Sequence, residues 1–87
     1  MVFEYDRTKS DSNDKKHGID FVAVQALWDD PRCLVVPARS MDEERFALIG
    51  ELHGKIWTCV FTVREDRVRI ISARRARDGE EEQYNQG

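Results

Sequence analysis

Three strand-like runs, whose side chains can be assigned alternately to two faces, follow one another in the second half of the chain, and short turn-forming pairs separate them. The runs are residues 44–52, 56–64 and 67–73, and the turns between them are His53-Gly54 and Glu65-Asp66. A period of two residues is typical of a β-strand, and a tight turn joins strands that run antiparallel. The sequence therefore predicts an antiparallel sheet. The core-facing residues of its clearest strand are Trp57, Cys59, Phe61 and Val63.

Two helices are predicted ahead of these strands. Asp6 can cap a helix over residues 7–16, and Gly18 supplies the left-handed residue that commonly ends one. This helix has no large apolar residue, so we expect it to lie on the surface and to be held mostly by its ends. Asp20 can cap a second helix, which Asp29-Asp30-Pro31 ends. Its apolar residues are spaced by three and four positions: Phe21, Val24, Ala26, Leu27 and Trp28.

Weaker signals complete the predicted order of elements. Residues 2–5 and 34–36 read as short strands, residues 37–42 as a turn, and a last helix is predicted from Arg74. The resulting order, β-α-α-β-β-β-β-α, predicts an α+β fold. In this fold an antiparallel sheet packs against helices on one face, and its other face stays partly open.

The length and composition limit the class of protein. A chain of 87 residues fits one domain, so we expect a single domain over residues 1–87. It has no apolar run near the roughly 18 residues that span a bilayer and no secretory leader pattern, so we expect a cytoplasmic protein. Cys33 and Cys59 lie in apolar stretches without metal-binding spacing, which predicts buried free thiols.

Charge is segregated along the chain. The net charge is −3, yet residues 64–77 hold six arginines and only two acidic residues, whereas residues 78–87 hold four acidic residues and no basic one. A dense arginine block in an acidic chain attracts phosphate groups or a carboxylate-rich protein. The block is therefore where we expect the functional site, with its six guanidinium groups converging on one anion-binding site.

Arginine suits phosphate because its planar guanidinium forms paired hydrogen bonds and stays charged at any cellular pH. Such a cluster can hold an RNA backbone and stabilise the added charge of a pentacovalent phosphorane, while RNA supplies its own 2′-hydroxyl nucleophile. The alternative is that exposed arginines protect strand edges from aggregation and form weak surface ion pairs. Composition alone does not decide between the two.

Several residues are candidates for proton transfer: His17, His53, Glu44 and Tyr84. Histidine titrates nearest neutrality, and a carboxylate can be tuned upward. Glu80 and Tyr84 are four residues apart and so share one face of the last helix. Each of these residues could equally have only a structural role. No glycine-rich phosphate loop, serine nucleophile motif or zinc spacing occurs, so no cofactor and no metal are expected.

Three segments together resemble the BrnT family of type II toxins. The first comprises Phe3-Glu4-Tyr5-Asp6, Lys9, Asn13, Lys16-His17-Gly18-Ile19 and Phe21. The second comprises Asp30-Pro31, Glu44-Arg45-Phe46 and Ile49-Gly50. The third comprises Arg64 and Asp66-Arg67-Val68-Arg69-Ile70-Ile71-Ser72-Ala73-Arg74-Arg75-Ala76. The resemblance spans nearly the whole chain.

The resemblance implies a RelE-like fold and a ribonuclease that inhibits translation. It also implies neutralisation by a BrnA-like antitoxin of ribbon-helix-helix type, with which the toxin co-represses its operon. Operator DNA would be bound only through the antitoxin. By position, the basic sheet face of the family corresponds to Arg64, Arg67, Arg69, Arg74 and Arg75, and Glu80 and Tyr84 match residues of its terminal helix. This chain departs from the family in an acidic last helix, with Asp78, Gly79, Glu81 and Glu82.

The leading hypothesis is therefore a metal-independent endoribonuclease. In it, Arg64, Arg69 and Arg74 hold the phosphate, and His17 or Tyr84 transfers protons. The expected RNA contacts are Arg67, Arg75, Arg77 and Lys16. The alternative is a non-catalytic module that binds an acidic protein through the arginines.

Overall fold

The computed structural model describes all 87 residues and has the predicted order of elements. The strands are β1 (Val2–Glu4), β2 (Leu34–Ala38), β3 (Arg45–Leu52), β4 (Lys55–Arg64) and β5 (Arg67–Arg75). The helices are α1 (Arg7–His17), a 3₁₀ helix (Ala23–Asp29) and α2 (Asp78–Gln86). They form an α+β fold around one five-stranded sheet with the spatial order β1-β5-β4-β3-β2. The predicted fold class is confirmed.

The two predicted hairpins form the centre of the sheet. β3 pairs antiparallel with β4, and β4 pairs antiparallel with β5. Both central residues of each turn have positive φ: 53° and 76° at His53 and Gly54, and 50° and 65° at Glu65 and Asp66. Two consecutive positive φ angles give a turn whose twist matches that of the flanking strands, which explains the tight two-residue connections.

The prediction of a wholly antiparallel sheet with helices on one face is wrong in two respects. β1 lies at one edge of the sheet and pairs in parallel with β5. From β1 the chain passes through α1 and the 3₁₀ helix to β2 at the opposite edge. In addition, α2 packs on the face opposite these two helices, where Tyr84 joins a small cluster with Ile49 and Ile56. That face is covered by α2 at one end only, and we call its uncovered remainder the open face.

The main core lies on the other face, which we call the covered face. Leu48, Cys59 and Phe61 pack there against the 3₁₀ helix. Phe21, Val24 and Leu27 are fully buried at intervals of three residues, and this spacing fits the three-residue turn of a 3₁₀ helix. Asp20 begins the segment as predicted, since its carboxylate accepts hydrogen bonds from the N–H groups of Val22 and Ala23 at 3.0 and 2.7 Å. Ala26, predicted to be in the apolar stripe, is exposed.

Helix α1 is held by its ends and by the side chain of Asn13. The carboxylate of Asp6 accepts a hydrogen bond from Lys9 N at 3.1 Å, and Gly18 ends the helix with φ of 77°, both as predicted. The amide of Asn13 bonds to both backbone groups of Ala73, with Nδ2 donating at 2.9 Å and Oδ1 accepting at 3.2 Å. Asn13 therefore satisfies the edge of β5 beyond the point where β1 ends.

Two further details of the prediction are wrong. The last helix begins at Asp78 and not at Arg74, because Arg74 and Arg75 continue β5 in register with Thr58 and Trp57. Pro37 belongs to β2 rather than to a turn, which an edge strand allows because Pro37 needs no donor on its outer side.

Side-chain burial differs from expectation at two positions. Val63 is 53% exposed because it lies at the end of β4, beyond the helices that cover the core. Cys33 is half-buried rather than buried, whereas Cys59 is fully buried; both are free thiols. Burial raises the pKa of each. None of the helices combines the length and the hydropathy needed to cross a bilayer.

Candidate functional site

Strand alternation places a group of arginines on the open face. On β4 and β5 the residues that alternate with the buried Phe61 and Val68 point away from the main core, and these include Arg64, Arg67 and Arg69. Arg64 pairs with Arg67 across the hairpin, and Arg69 pairs with Thr62. The register therefore brings three of the six arginines together.

A fourth arginine, which the sequence analysis did not assign to the site, lies on the same face. Arg45 begins β3, and Ala47 and Ile49 follow it on the same side of the strand. Its Nε lies 3.7 Å from a carboxylate oxygen of Glu43, whose other oxygen accepts a hydrogen bond from Arg64 at 3.1 Å. Glu43 therefore brings Arg45 and Arg64 together. We call Arg45, Arg64, Arg67 and Arg69 the arginine patch.

The patch is only loosely neutralised. Glu4 of β1 lies 3.8 Å from Arg67 and 3.6 Å from Arg69, and both distances exceed that of a hydrogen bond. The side chains of Arg64 and Arg67 are 58% and 57% exposed. Ion pairs this exposed contribute at most about 1 kcal/mol each. Four arginines pair with two carboxylates, and a third carboxylate, Asp42, interacts electrostatically with Arg45, so the patch keeps an excess of positive charge.

Arg74 belongs to a separate group under α2. Both of its terminal nitrogens donate to the carboxylate of Glu80, at 2.7 and 3.0 Å, and the hydroxyl of Thr58 donates to the same carboxylate at 3.1 Å. The hydrogen bonds from Arg74 lower the pKa of Glu80 to about 2. Arg74 pairs with Thr58, whereas Arg69 of the patch pairs with Thr62, four residues further along β4. Four strand residues span about 13 Å, so Arg74 lies well apart from the patch.

The six arginines of residues 64–77 therefore do not all gather at one point. Arg75 lies on the covered face, where its guanidinium sits 5.5 Å from the ring centre of Trp57 and Nε donates to the carbonyl of Ile56 at 3.3 Å. Arg77 is exposed at the start of α2, and its backbone N–H donates to Glu80 at 2.8 Å. Three of the six, Arg64, Arg67 and Arg69, share the patch.

The predicted residues on α1 lie away from the patch. Lys16 is exposed and His17 is partly exposed at the C-terminal end of this helix. Asn13 binds α1 to β5 at Ala73, and Ile19, two residues after His17, is part of the main core. Both facts place Lys16 and His17 at the side of the covered face.

Tyr84 is held inside the protein rather than presented to solvent. Its side chain is buried, and its hydroxyl donates to Oδ2 of Asp30 at 2.6 Å. This hydrogen bond, together with burial, raises the pKa of Tyr84 to about 12. Although burial raises the pKa of Asp30, hydrogen bonds from Tyr84 and from the N–H groups of Glu51 and Arg32 outweigh it and lower that pKa. The pair fixes α2 to the end of the 3₁₀ helix.

The other two candidates for proton transfer, His53 and Glu44, are both exposed. His53 lies in the turn between β3 and β4. Glu44 contributes its backbone carbonyl, which accepts a hydrogen bond from Thr62 at 2.6 Å. The titratable side chains that do contact the patch are Glu4 and Glu43, and the sequence analysis considered neither. The only sequence signal for this face was strand alternation, which places Glu4 on the side opposite Phe3 and Arg45 on the side opposite Phe46.

The fold and the patch together define the class of protein: a small α+β domain whose sheet carries an arginine patch suited to binding phosphate groups. The family model described as ribonuclease toxin, BrnT, of type II toxin-antitoxin system matches residues 5–80. Because this match spans well over half of the chain, the chain belongs to the BrnT family of ribonuclease toxins. The matched segment includes the whole patch and ends at Glu80. No curated protein matches the chain.

Proposed function

We propose that the protein is an endoribonuclease that needs no metal ion and that binds RNA on the arginine patch. The observation that carries this proposal is the concentration of four exposed or half-exposed arginines on the open face, with only two carboxylates paired to them, of which only Glu43 lies within hydrogen-bond distance. Membership of a ribonuclease toxin family makes RNA the polyanion that this patch would bind.

Arg64 and Arg69 are the phosphate-binding residues in this proposal, and Arg67 contacts the neighbouring backbone. The 2′-hydroxyl of the substrate loses its proton and attacks the adjacent phosphorus in line, and the bond from phosphorus to the 5′-oxygen breaks as that oxygen gains a proton. The products are a 2′,3′-cyclic phosphate and a 5′-hydroxyl. The guanidiniums stabilise the extra negative charge of the phosphorane between these two steps.

All of these site assignments are predictions, and the others have less geometric support. Arg74 is engaged by Glu80, Tyr84 is buried against Asp30, and His17 lies beside the covered face. RNA contacts by Lys16, Arg75 and Arg77 would require the strand to extend beyond the open face. The geometry gives these residues less support than it gives Arg64 and Arg69.

The cellular role follows from the family. We propose that RNA cleavage in the cytoplasm inhibits translation and that a BrnA-like antitoxin of ribbon-helix-helix type neutralises the toxin. The complex would bind operator DNA through the antitoxin and repress its own operon. An acidic antitoxin segment would compete with RNA for the patch, because carboxylates and phosphates bind guanidinium in the same paired geometry.

Expression without antitoxin tests the proposal. Wild-type protein should arrest growth, and an Arg64→Ala, Arg69→Ala double variant should not, because two phosphate-binding residues are missing. An Arg7→Ala, Arg39→Ala double variant removes the same charge from exposed positions outside the patch and should arrest growth like the wild type. Equal arrest by the Arg64, Arg69 variant, at equal protein level, would refute the assigned role.

A further inference from the structure

The register of three neighbouring strands places two arginines on either side of a threonine. β3 and β4 pair Phe46 with Phe61, so Arg45, one residue before Phe46, lies beside Thr62. Thr62 in turn pairs with Arg69 on β5. Arg45, Thr62 and Arg69 therefore form one row across the open face.

The spacing within this row fits one phosphate group. Neighbouring strands lie about 4.8 Å apart, so two arginines separated by one strand begin roughly 10 Å apart. Guanidiniums that lean toward each other over the row can each donate to the same phosphate with N···O distances of about 2.8 Å. Thr62 is 3% exposed, and its hydroxyl already donates to the backbone carbonyl of Glu44. Its short side chain therefore lies below the two longer side chains of Arg45 and Arg69.

The hydrogen-bonding state of Arg45 is unusual for a half-buried guanidinium. Its Nε is buried and has no hydrogen-bond partner, and the nearest carboxylate oxygen, on Glu43, is 3.7 Å away. An unsatisfied buried donor is costly, and such donors are rare in folded proteins unless a ligand or function accounts for them. Arg74, by contrast, spends both terminal nitrogens on Glu80. The side chain of Arg45 thus donates no hydrogen bond within the protein, and its buried Nε reaches a ligand only when the side chain turns outward.

Glu43 is the group that competes for this position. It shares its carboxylate between Arg45 and Arg64, and its side chain is 29% exposed. Its backbone N–H is fixed by the side chains of Ser40 and Asp42, at 3.3 and 2.9 Å, so the carboxylate is held beside the patch. A phosphate that enters the row must compete with Glu43 for the charge of Arg45.

We propose that Arg45 is a further phosphate-binding residue, which holds the RNA backbone together with Arg69 across Thr62, and that Glu43 weakens this binding in the free protein. This inference rests on the proposed function and extends it to a residue outside the arginine-rich segment. It predicts effects of opposite sign for the two neighbours Arg45 and Glu43, which a purely structural role for Arg45 does not.

The test measures binding of a short fluorescent single-stranded RNA whose 2′-hydroxyls are methylated, so that it cannot be cleaved. Between about 50 and 200 mM salt, Arg45→Ala should lower the affinity about tenfold and reduce the salt slope by about 0.7, the share of one phosphate contact on a single strand. Arg45→Lys should fall between the two, because it keeps the charge and loses the paired hydrogen bonds. Arg7→Ala is the matched control and should bind like the wild type.

Glu43→Gln supplies the second readout, and it keeps the size of the side chain. It should raise the affinity for the same RNA severalfold, and less so when Arg45 is alanine. Unchanged affinity and salt slope in folded Arg45→Ala, with normal binding by the wild type, would overturn the role of Arg45 and leave the proposed function intact. A loss of affinity in Glu43→Gln would also overturn it. A wild-type protein that neither binds nor cleaves RNA would refute both proposals.

Discussion

At the scale of single residues, the hydrogen bond between Tyr84 and Asp30 decides where α2 lies. Oδ2 of Asp30 accepts from the Tyr84 hydroxyl and from the N–H of Glu51, while Oδ1 accepts from the N–H of Arg32. One carboxylate thus joins the end of the 3₁₀ helix, β3 and α2. The Tyr84 hydroxyl therefore has a structural role, which is to hold α2 in position.

Tyr84→Phe should lower the free energy of unfolding by about 1.5 kcal/mol, since it removes a hydrogen bond to a charged acceptor and keeps the buried ring. The melting temperature should fall by about 6–12 °C for a domain of this size. Tyr5→Phe is the control, because Tyr5 contributes a ring contact to Phe21 and no internal hydroxyl bond. Equal melting temperatures for wild type and Tyr84→Phe, measured by circular dichroism, would contradict the role of the bond.

The same bond sets an alkaline limit. The folded pKa of Tyr84, about 12, lies above its ordinary value of 10, so the bond stabilises fully below pH 10 and is lost as the pH rises toward 12. The wild type should therefore lose more stability across this window than Tyr84→Phe does. Parallel curves for the two proteins would show that the tyrosine contributes nothing there.

At the scale of elements, the parts of the fold that depend on local sequence could be predicted, whereas those that depend on long-range pairing could not. The β3–β4 and β4–β5 hairpins could be predicted because a strand alternates with period two and each turn is two residues long. The end of β5 could not, because Arg74 and Arg75 look like the start of a helix until their pairing with Thr58 and Trp57 is known. The same holds for the parallel pairing of β1, which depends on contacts 65 residues away in sequence.

Helix α2 is attached to the sheet by an ion pair as well as by Tyr84. The pKa of Glu80, about 2, lies below its ordinary value of 4.5 because Arg74 stabilises the charged carboxylate. A lowered pKa means that the pair stabilises the fold above about pH 4.5 and that this contribution disappears as the pH falls toward 2. Acid therefore weakens the attachment of α2 at Glu80, and alkali weakens it at Tyr84.

Urea unfolding at a series of pH values tests this attachment. Glu80→Gln should be less stable than the wild type at pH 7, and the difference should shrink as the pH falls from about 4.5 to 2, because the wild type then loses its own charge. Glu82→Gln, on the exposed side of the same helix, should show no such trend. A difference between wild type and Glu80→Gln that stays constant over the window would refute the assignment.

At the scale of the whole molecule, the fold sorts the arginines of one segment onto different surfaces. Charge density indicated residues 64–77 as a single functional region, but strand alternation and α2 divide its arginines between different surfaces. Arg64, Arg67 and Arg69 reach the open face, Arg74 is covered by Glu80, and Arg75 stacks on Trp57.

The patch is completed by residues that charge density could not reveal. Arg45 and Glu43 lie in a segment without excess positive charge, and Glu4 lies near the N-terminus. Strand order brings all three to the patch, because β1 and β3 flank the β4–β5 hairpin on its two sides. A net charge of −3 is therefore compatible with a locally positive surface for RNA.

The most direct measurement is the chemistry of RNA ends after incubation with the purified chain in excess chelator. The wild type should produce fragments that end in 2′,3′-cyclic phosphate and begin with 5′-hydroxyl, and the Arg64→Ala, Arg69→Ala variant should leave most of the RNA intact. Intact RNA with a folded wild-type protein would contradict the central claim and favour a non-catalytic module that binds an acidic protein. Equal cleavage by the two proteins would instead remove the patch from the reaction.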